Sequence, residues 1–215
     1  MRSEIAERMR GIYVIVDPQH TINREVVGIA KAAFSGGASA VQLRDKISSK
    51  RKILETATQI QELAHSAGSL FIVNDHADIA RIVASDGLHV GQKDIAVEDC
   101  RVVLDDRQII GTSNALVSEA EESERVGADY LAVGAMFPTG TKIDTRPAGL
   151  ETLREIRAMT STHIVAIGGI NKSNIEAVVA AGADSVCMAT AITKAEDVEA
   201  ATRSLVQLFN DVETS

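Results

Sequence analysis

The stretch Gly127-Ala128-Asp129-Tyr130-Leu131-Ala132-Val133-Gly134 passes from the glycine that ends a helical segment into a short apolar run, and Gly182-Ala183-Asp184-Ser185-Val186-Cys187-Met188 repeats that plan. Gly36-Gly37-Ala38 stands in the same place before Ala40-Val41-Gln42-Leu43. A glycine at such a junction accepts the left-handed conformation that closes a helix C-terminus. Helix, glycine, strand is the order of crossover units that feed a parallel sheet.

Outward from these junctions, eight short runs predict strands: Tyr13–Val16, Ala40–Leu43, Leu70–Asn74, Gly87–Val90, Ile109–Thr112, Tyr130–Gly134, Ile164–Ile167 and Ser185–Met188. Between them lie segments such as Lys50–Ala67 and Ser118–Val126, rich in Ala, Glu, Leu and Gln, which suit helices packed on the outside of a sheet. Eight units favour a closed barrel over a doubly wound open sheet, which has about five or six parallel strands. The expected fold is α/β, a single (β/α)8 TIM barrel with an extra N-terminal helix near Ser3–Met9 and a final helix near Ala195–Val212. No linker, charge block or low-complexity tract divides residues 1–215, so one domain is expected, with its barrel core over 11–194.

At 215 residues and 45% hydrophobic content, the chain is long enough to bury one substantial core. A formal net charge of −8 disfavours a nucleic-acid partner, which is held chiefly by Lys and Arg. Aromatics at 3% and no Trp leave few platforms for stacking bases. Met1–Arg10 alternates charged and apolar residues, and no run reaches membrane-spanning length, so a cytoplasmic protein without a membrane partner is expected. Cys100 and Cys187 lack the spacing of a zinc or redox pair and read as structural.

Barrel enzymes carry their chemistry at the C-terminal ends of the strands. After the second strand, Gln42, Arg44 and Lys46 alternate along an extended segment and point to one side. Arg and Lys together suit a diphosphate, although an Arg44 paired with a nearby acid in a solvated loop fits the same residues. Asp75 and Asp94 follow the third and fourth strands, whose tops lie about 5 Å apart. They could share one hard cation, or each cap the helix that follows. Thr139, Gly140, Thr141 and Lys142 combine hydroxyls, a glycine and a cation in one loop, as a phosphate site or a surface turn would. Gly168-Gly169 and Ala189-Thr190 follow the last two strands, where barrels often bind phosphate. Among the histidines, His65 and His163 fall away from the strand tops and read as surface residues; His76 and His89 lie closer, but no Ser or Cys stands with them as a triad.

Together these motifs resemble the thiamine phosphate synthase family. Val41–Lys46 is similar to its Gln-Leu-Arg-(acid)-Lys segment, and Val73-Asn74-Asp75 with Gly91-Gln92-Lys93-Asp94 to its metal segments. Gly111-Thr112-Ser113, Gly134–Lys142 and Ala166–Ile170 complete the series over about Ile12 to Ile192. The resemblance implies that Gln42, Leu43, Arg44, Asp45, Lys46, Asn74, Ser113 and Lys142 bind a hydroxymethylpyrimidine diphosphate, with Arg44, Lys46 and Lys142 acting in catalysis. It implies one Mg2+ ion on Asp75 and Asp94, and a thiazole phosphate on Thr139, Gly140, Thr141, Gly169, Ala189 and Thr190. The partners implied are these small molecules, with a homo-oligomer left open.

Two positions depart from the family pattern. Thr190 stands where Ser is common and keeps the hydroxyl; Asn114-Ala115 replaces a segment that often carries His at its second position. A related barrel, the thiazole tautomerase, often uses a His there for proton transfer, and Ala115 argues against that alternative. A noncatalytic thiamine-phosphate sensor would bind ligand without Mg2+-dependent turnover, and no appended partner-binding segment supports it.

Overall fold

The computed structural model describes residues 2–22, 24–138 and 146–214. Eight parallel strands close into a barrel in chain order: β1 (Gly11–Val16), β2 (Ala40–Leu43), β3 (Leu70–Asn74), β4 (Gly87–Val90), β5 (Ile109–Asn114), β6 (Tyr130–Gly134), β7 (His163–Ile167) and β8 (Ser185–Met188). The ring closes with Gly11 opposite Ser185 and Val14 opposite Met188. The helices are α1 (Arg2–Glu7), α2 (Val26–Ser35), α3 (Lys50–Ala67), α4 (Ala77–Val83), α5 (Val97–Val103), α6 (Val117–Arg125), α7 (Gly149–Met159), α8 (Ile175–Ala180), α9 (Thr190–Thr193) and α10 (Val198–Glu213). The expected TIM barrel and its extra N-terminal helix are both present.

Alternation along each strand separates two apolar layers. Ile12, Val14 and Val16 join the layer between strands and helices, whereas Tyr13 and Ile15 face inward with Leu70, Ile72, Ile109, Tyr130 and Val165. Helix α3 shows why the outer layer forms: Ile53, Ala57, Ile60 and Ala64 recur at helical spacing and are buried. Ser49 caps its start through Lys52 N–H, and Gly68, at φ 68°, closes its end.

The Gly-Ala-Asp repeat has a structural role at the barrel floor. Gly127 and Gly182 take φ values of 84° and 103°, which turn the chain out of the helix. The aspartate that follows then ties its strand to the one before: Asp129 Oδ2 accepts from Ile110 N–H at 2.7 Å, and Asp184 Oδ2 from Ile164 N–H at 2.9 Å. Asp86 does the same for Phe71 N–H at 2.9 Å without the preceding Gly-Ala. Arg101 pairs with Asp129, and Arg10 and Arg157 both pair with Asp184.

His163, expected at the surface, lies instead inside the barrel floor at 3% exposure, because β7 begins one residue before the predicted strand and its first side chain faces inward. Ser185 Oγ donates to Met9 O at 2.8 Å and therefore accepts from His163 Nε2, 2.7 Å away. Nδ1 is then the unprotonated nitrogen, buried without a partner. Burial pushes the imidazole down to about 4, against the pull of Asp184 and helped by Arg10 and Arg157. A pKa depressed in the folded state means that the unfolded chain binds the proton first. Stability contributed by neutral His163 is complete above pH ~6.5 and falls as the pH drops toward 4. Between pH 7 and pH 5 the expected loss is about 2 kcal/mol. Denaturant unfolding at both pH values checks this: His163→Gln should flatten the difference, and an unchanged difference would assign it to other groups.

Candidate functional site

The strand tops surround one cavity, and each wall is built from residues that the alternation of a strand turns inward. On β2, Gln42 faces the cavity, and Arg44 and Lys46 line it just beyond the strand end. Leu43, on the opposite face, packs in the outer apolar layer. Asp45 also turns from the cavity: its Oδ1 accepts from Ile47 and Ser48 N–H at 3.1 and 2.9 Å, which fixes the loop entering α3.

Asp17, at the end of β1, is 4% exposed and carries an ion pair with Arg44. Arg44 thus has the acidic partner that a solvated-loop reading asks for, yet the pair stands in the cavity wall. Lys46 is likewise paired with Asp75 across the β2–β3 tops. Asp75 follows Asn74 at the β3 end, and its φ of 62° swings the chain off the strand. Aspartate tolerates this left-handed conformation better than most residues. Asp94 also lines the cavity, and its Oδ2 accepts from Gly91 N–H at 2.7 Å, so it braces its own loop. Among the described residues, no group of three or more His, Cys, Asp or Glu converges on a metal position.

Ser113 and Asn114 line the β5 side. The Asn114 amide is engaged within the wall, donating to Thr112 O at 3.0 Å and accepting from Ser123 Oγ at 2.8 Å. Ala115 beside it is buried and has no ionisable group. Across the mouth, Gly168 and Gly169 at φ 100° and 68° form the turn after β7, and Ala189 and Thr190 lead into α9. Thr139, Gly140, Thr141 and Lys142 lie outside the described residues.

The cavity also contains groups not singled out by motif. Asp17 and His20 line it beside Arg44, and His89 forms part of its floor. His89 stands where its place near the strand tops sets it, beside the site; Asp17 carries no such signal, since it becomes relevant only when β1 and β2 are paired. Cys187 lines the cavity too, but burial holds its thiol well above the ordinary range, which removes it as a thiolate nucleophile. No helix among the described residues is long and apolar enough to cross a membrane.

A family model described as thiamine monophosphate synthase matches residues 12–192. A thiamine-phosphate synthase of Moorella thermoacetica is 45% identical over 195 residues, covering 90% of this chain and 93% of the relative. One from Shouchella clausii is 41% identical over 201 residues, covering 93% and 96%. Among solved structures, a thiamine phosphate pyrophosphorylase from Pyrococcus furiosus superposes with a TM-score of 0.89 at 36% identity, covering 97% of this chain and 98% of that one. An orotidine 5'-phosphate decarboxylase from Pyrococcus horikoshii, at 17% identity and a TM-score of 0.65, shares the fold alone.

Proposed function

The chain belongs to the thiamine monophosphate synthase family, and from that premise we propose how its cavity divides between two substrates. The activity is that of a transferase that forms thiamine phosphate. In our reading it joins 4-amino-2-methyl-5-(diphosphooxymethyl)pyrimidine to 4-methyl-5-(2-phosphooxyethyl)thiazole, or its carboxylated form, in the cytoplasm. The observation that carries this reading is the gathering of Arg44, Lys46, Asp75 and Asp94 on one side of a cavity whose other side is a glycine turn. Gln42, Asn74 and Ser113 bind the pyrimidine, and Arg44, Lys46 and Lys142 its diphosphate. Leu43 and Asp45 support the same segment from outside the wall. Gly169, Ala189, Thr190 and the segment Thr139, Gly140, Thr141 take the thiazole phosphate.

Two carboxylates on adjacent strand tops fit a magnesium ion that shares its remaining positions with water and substrate oxygens, so the absence of an all-protein cage among the described residues is no obstacle. Asp75 and Asp94 would hold the ion, which when bound would neutralise charge on the diphosphate.

In the transfer, the bond between the pyrimidine methylene and the diphosphate oxygen breaks, and its electron pair leaves with pyrophosphate. The thiazole nitrogen gives its lone pair to the methylene carbon. No protein nucleophile is needed; the non-carboxylated thiazole moves no proton, while the carboxylated form also releases its carboxylate as CO2 and takes one proton from water on the same ring carbon. Arg44 and Lys46 stabilise the departing charge, while the cavity walls hold the two substrates in line. The test is incubation of the protein with both substrates and Mg2+. Thiamine phosphate and pyrophosphate should appear in equal amounts; neither product from folded protein would overturn the substrate assignment.

The phosphate end is open to a separate test. A charge at Gly169 is a poor probe, since a Cβ there would stand 2.8 Å from the carbonyl oxygens of both Phe137 and Pro138. Thr190, partly exposed at the cavity wall, tolerates a longer side chain more readily. Thr190→Glu is expected to raise KM for the thiazole phosphate about tenfold through like-charge repulsion, with KM for the pyrimidine little changed. Steady-state kinetics with each substrate varied checks this, and an equal rise in both constants would place the phosphate elsewhere.

A further inference from the structure

Beneath the cavity runs a continuous line of polar groups through the barrel. Gln42 Nε2 donates to Tyr13 Oη at 2.7 Å, and the hydroxyls of Tyr13 and Tyr130 lie 3.3 Å apart. Tyr130 Oη is 3.0 Å from His89 Nδ1, and His89 Nε2 is 2.9 Å from Ser113 Oγ. The line begins at one cavity-lining side chain, Gln42 on β2, and ends at another, Ser113 on β5. Its path is built into the backbone: a Cβ on Gly111 would fall 1.9 Å from Tyr130 Cζ, so only glycine on β5 leaves room for that ring.

Burial raises both phenols far above their ordinary range, so each hydroxyl keeps its proton. A hydroxyl donates one hydrogen only, and with Gln42 Nε2 as donor a single direction gives every buried hydrogen on the line an acceptor. Tyr13 receives from Gln42 and passes its own hydrogen to Tyr130. Tyr130 donates to His89 Nδ1, His89 carries its proton on Nε2, and that proton goes to Ser113 Oγ. The Ser113 hydroxyl hydrogen is left to face the cavity, and the Gln42 amide oxygen is left to accept.

We propose that Tyr13, Tyr130 and His89 are positioning residues that fix Gln42 as an acceptor and Ser113 as a donor, and so select a ring presenting an amino group beside an unprotonated ring nitrogen. The inference rests on the reading of Gln42 and Ser113 as pyrimidine-binding groups. A 4-aminopyrimidine has this pattern. A 4-oxopyrimidine, with a carbonyl beside a ring N–H, has its reverse and leaves both ends mismatched. A site built to hydrogen-bond one pattern rejects the other by about 1,000-fold or more.

Two measurements test this. The first is 15N NMR of the histidine rings in the intact protein, with His89 assigned by loss of its signals in His89→Asn. The Nε2–H tautomer is expected, and an Nδ1–H tautomer would overturn the proposed direction, whatever the activity. The second is the ratio of kcat/KM for the 4-amino and 4-oxo pyrimidine diphosphates. Tyr130→Phe breaks the line without changing the packing, so the ratio should fall at least tenfold while KM for the thiazole phosphate stays unchanged. His89→Gln, which retains a donor toward Ser113, should keep more of the ratio than His89→Ala. An unchanged ratio in active, folded Tyr130→Phe would show that the line only fills the core and would sink the proposal alone. A wild type that uses neither pyrimidine would remove the substrate reading and the proposal with it. If Tyr130→Phe does not fold, the tautomer decides.

Discussion

Asp75→Asn and Asp94→Asn are each expected to lower kcat about 100-fold or more while leaving the barrel folded. Each tenfold loss corresponds to about 1.4 kcal/mol of transition-state stabilisation, so the asked-for effect is about 3 kcal/mol, the scale of removing one formal charge from a metal shell. The fold should survive for a separate reason at each position. Asparagine is among the residues best able to hold the φ of 62° found at Asp75. At position 94 an amide oxygen can still accept the Gly91 N–H that the carboxylate now takes at 2.7 Å. The Lys46 partner of Asp75 has a side chain 41% exposed, so loss of that ion pair costs stability under about 1 kcal/mol. Thermal melts with kinetics over a magnesium series check the two sides together. Turnover equal to wild type at ordinary magnesium would remove that residue from the proposed metal shell.

The sequence made the barrel legible because its signals are local. The strands at Ala40–Leu43, Leu70–Asn74, Gly87–Val90, Tyr130–Gly134 and Ser185–Met188 coincide with those observed, each bounded by a turn or a glycine that the chain itself displays. The position of Arg44 and Lys46 on the cavity follows from the same local alternation. What sequence could not display were relations between distant strands. The Arg44–Asp17 pair spans 27 positions, and the Tyr13–Tyr130 contact spans 117. Two tyrosines at inward strand positions carry no site signal along the chain until the closed ring sets their hydroxyls between Gln42 and His89. His163 departs from its expected surface position for a smaller reason: a strand boundary displaced by one residue turns the first side chain from solvent into the barrel floor.

An electron-withdrawing substituent on the pyrimidine is expected to slow the chemical step about 1,000-fold while weakening binding less than tenfold. The asymmetry follows from where the polar groups of the cavity stand. Arg44 and Lys46, with Asp75 and Asp94 beside them, gather on the side proposed for the leaving diphosphate. The described residues of the glycine wall, Gly168, Gly169, Ala189 and Thr190, include no base that could activate the thiazole nitrogen, and its lone pair needs none. Such a site assists departure more than attack, and a methylene losing its leaving group first must draw electron density from the aminopyrimidine ring. At about 1.4 kcal/mol per factor of ten, a 1,000-fold decrease requires roughly 4 kcal/mol of lost cation stabilisation. A strongly withdrawing group on a conjugated ring can remove that much, whereas ground-state contacts such as those proposed for Gln42 and Ser113 would be little disturbed. Single-turnover rates along a series of increasingly electron-poor pyrimidines should therefore fall steeply while dissociation constants stay nearly level. A flat rate series, with chemistry shown to limit turnover, would mean that attack keeps pace with departure and that the ring carries little positive charge at the transition state.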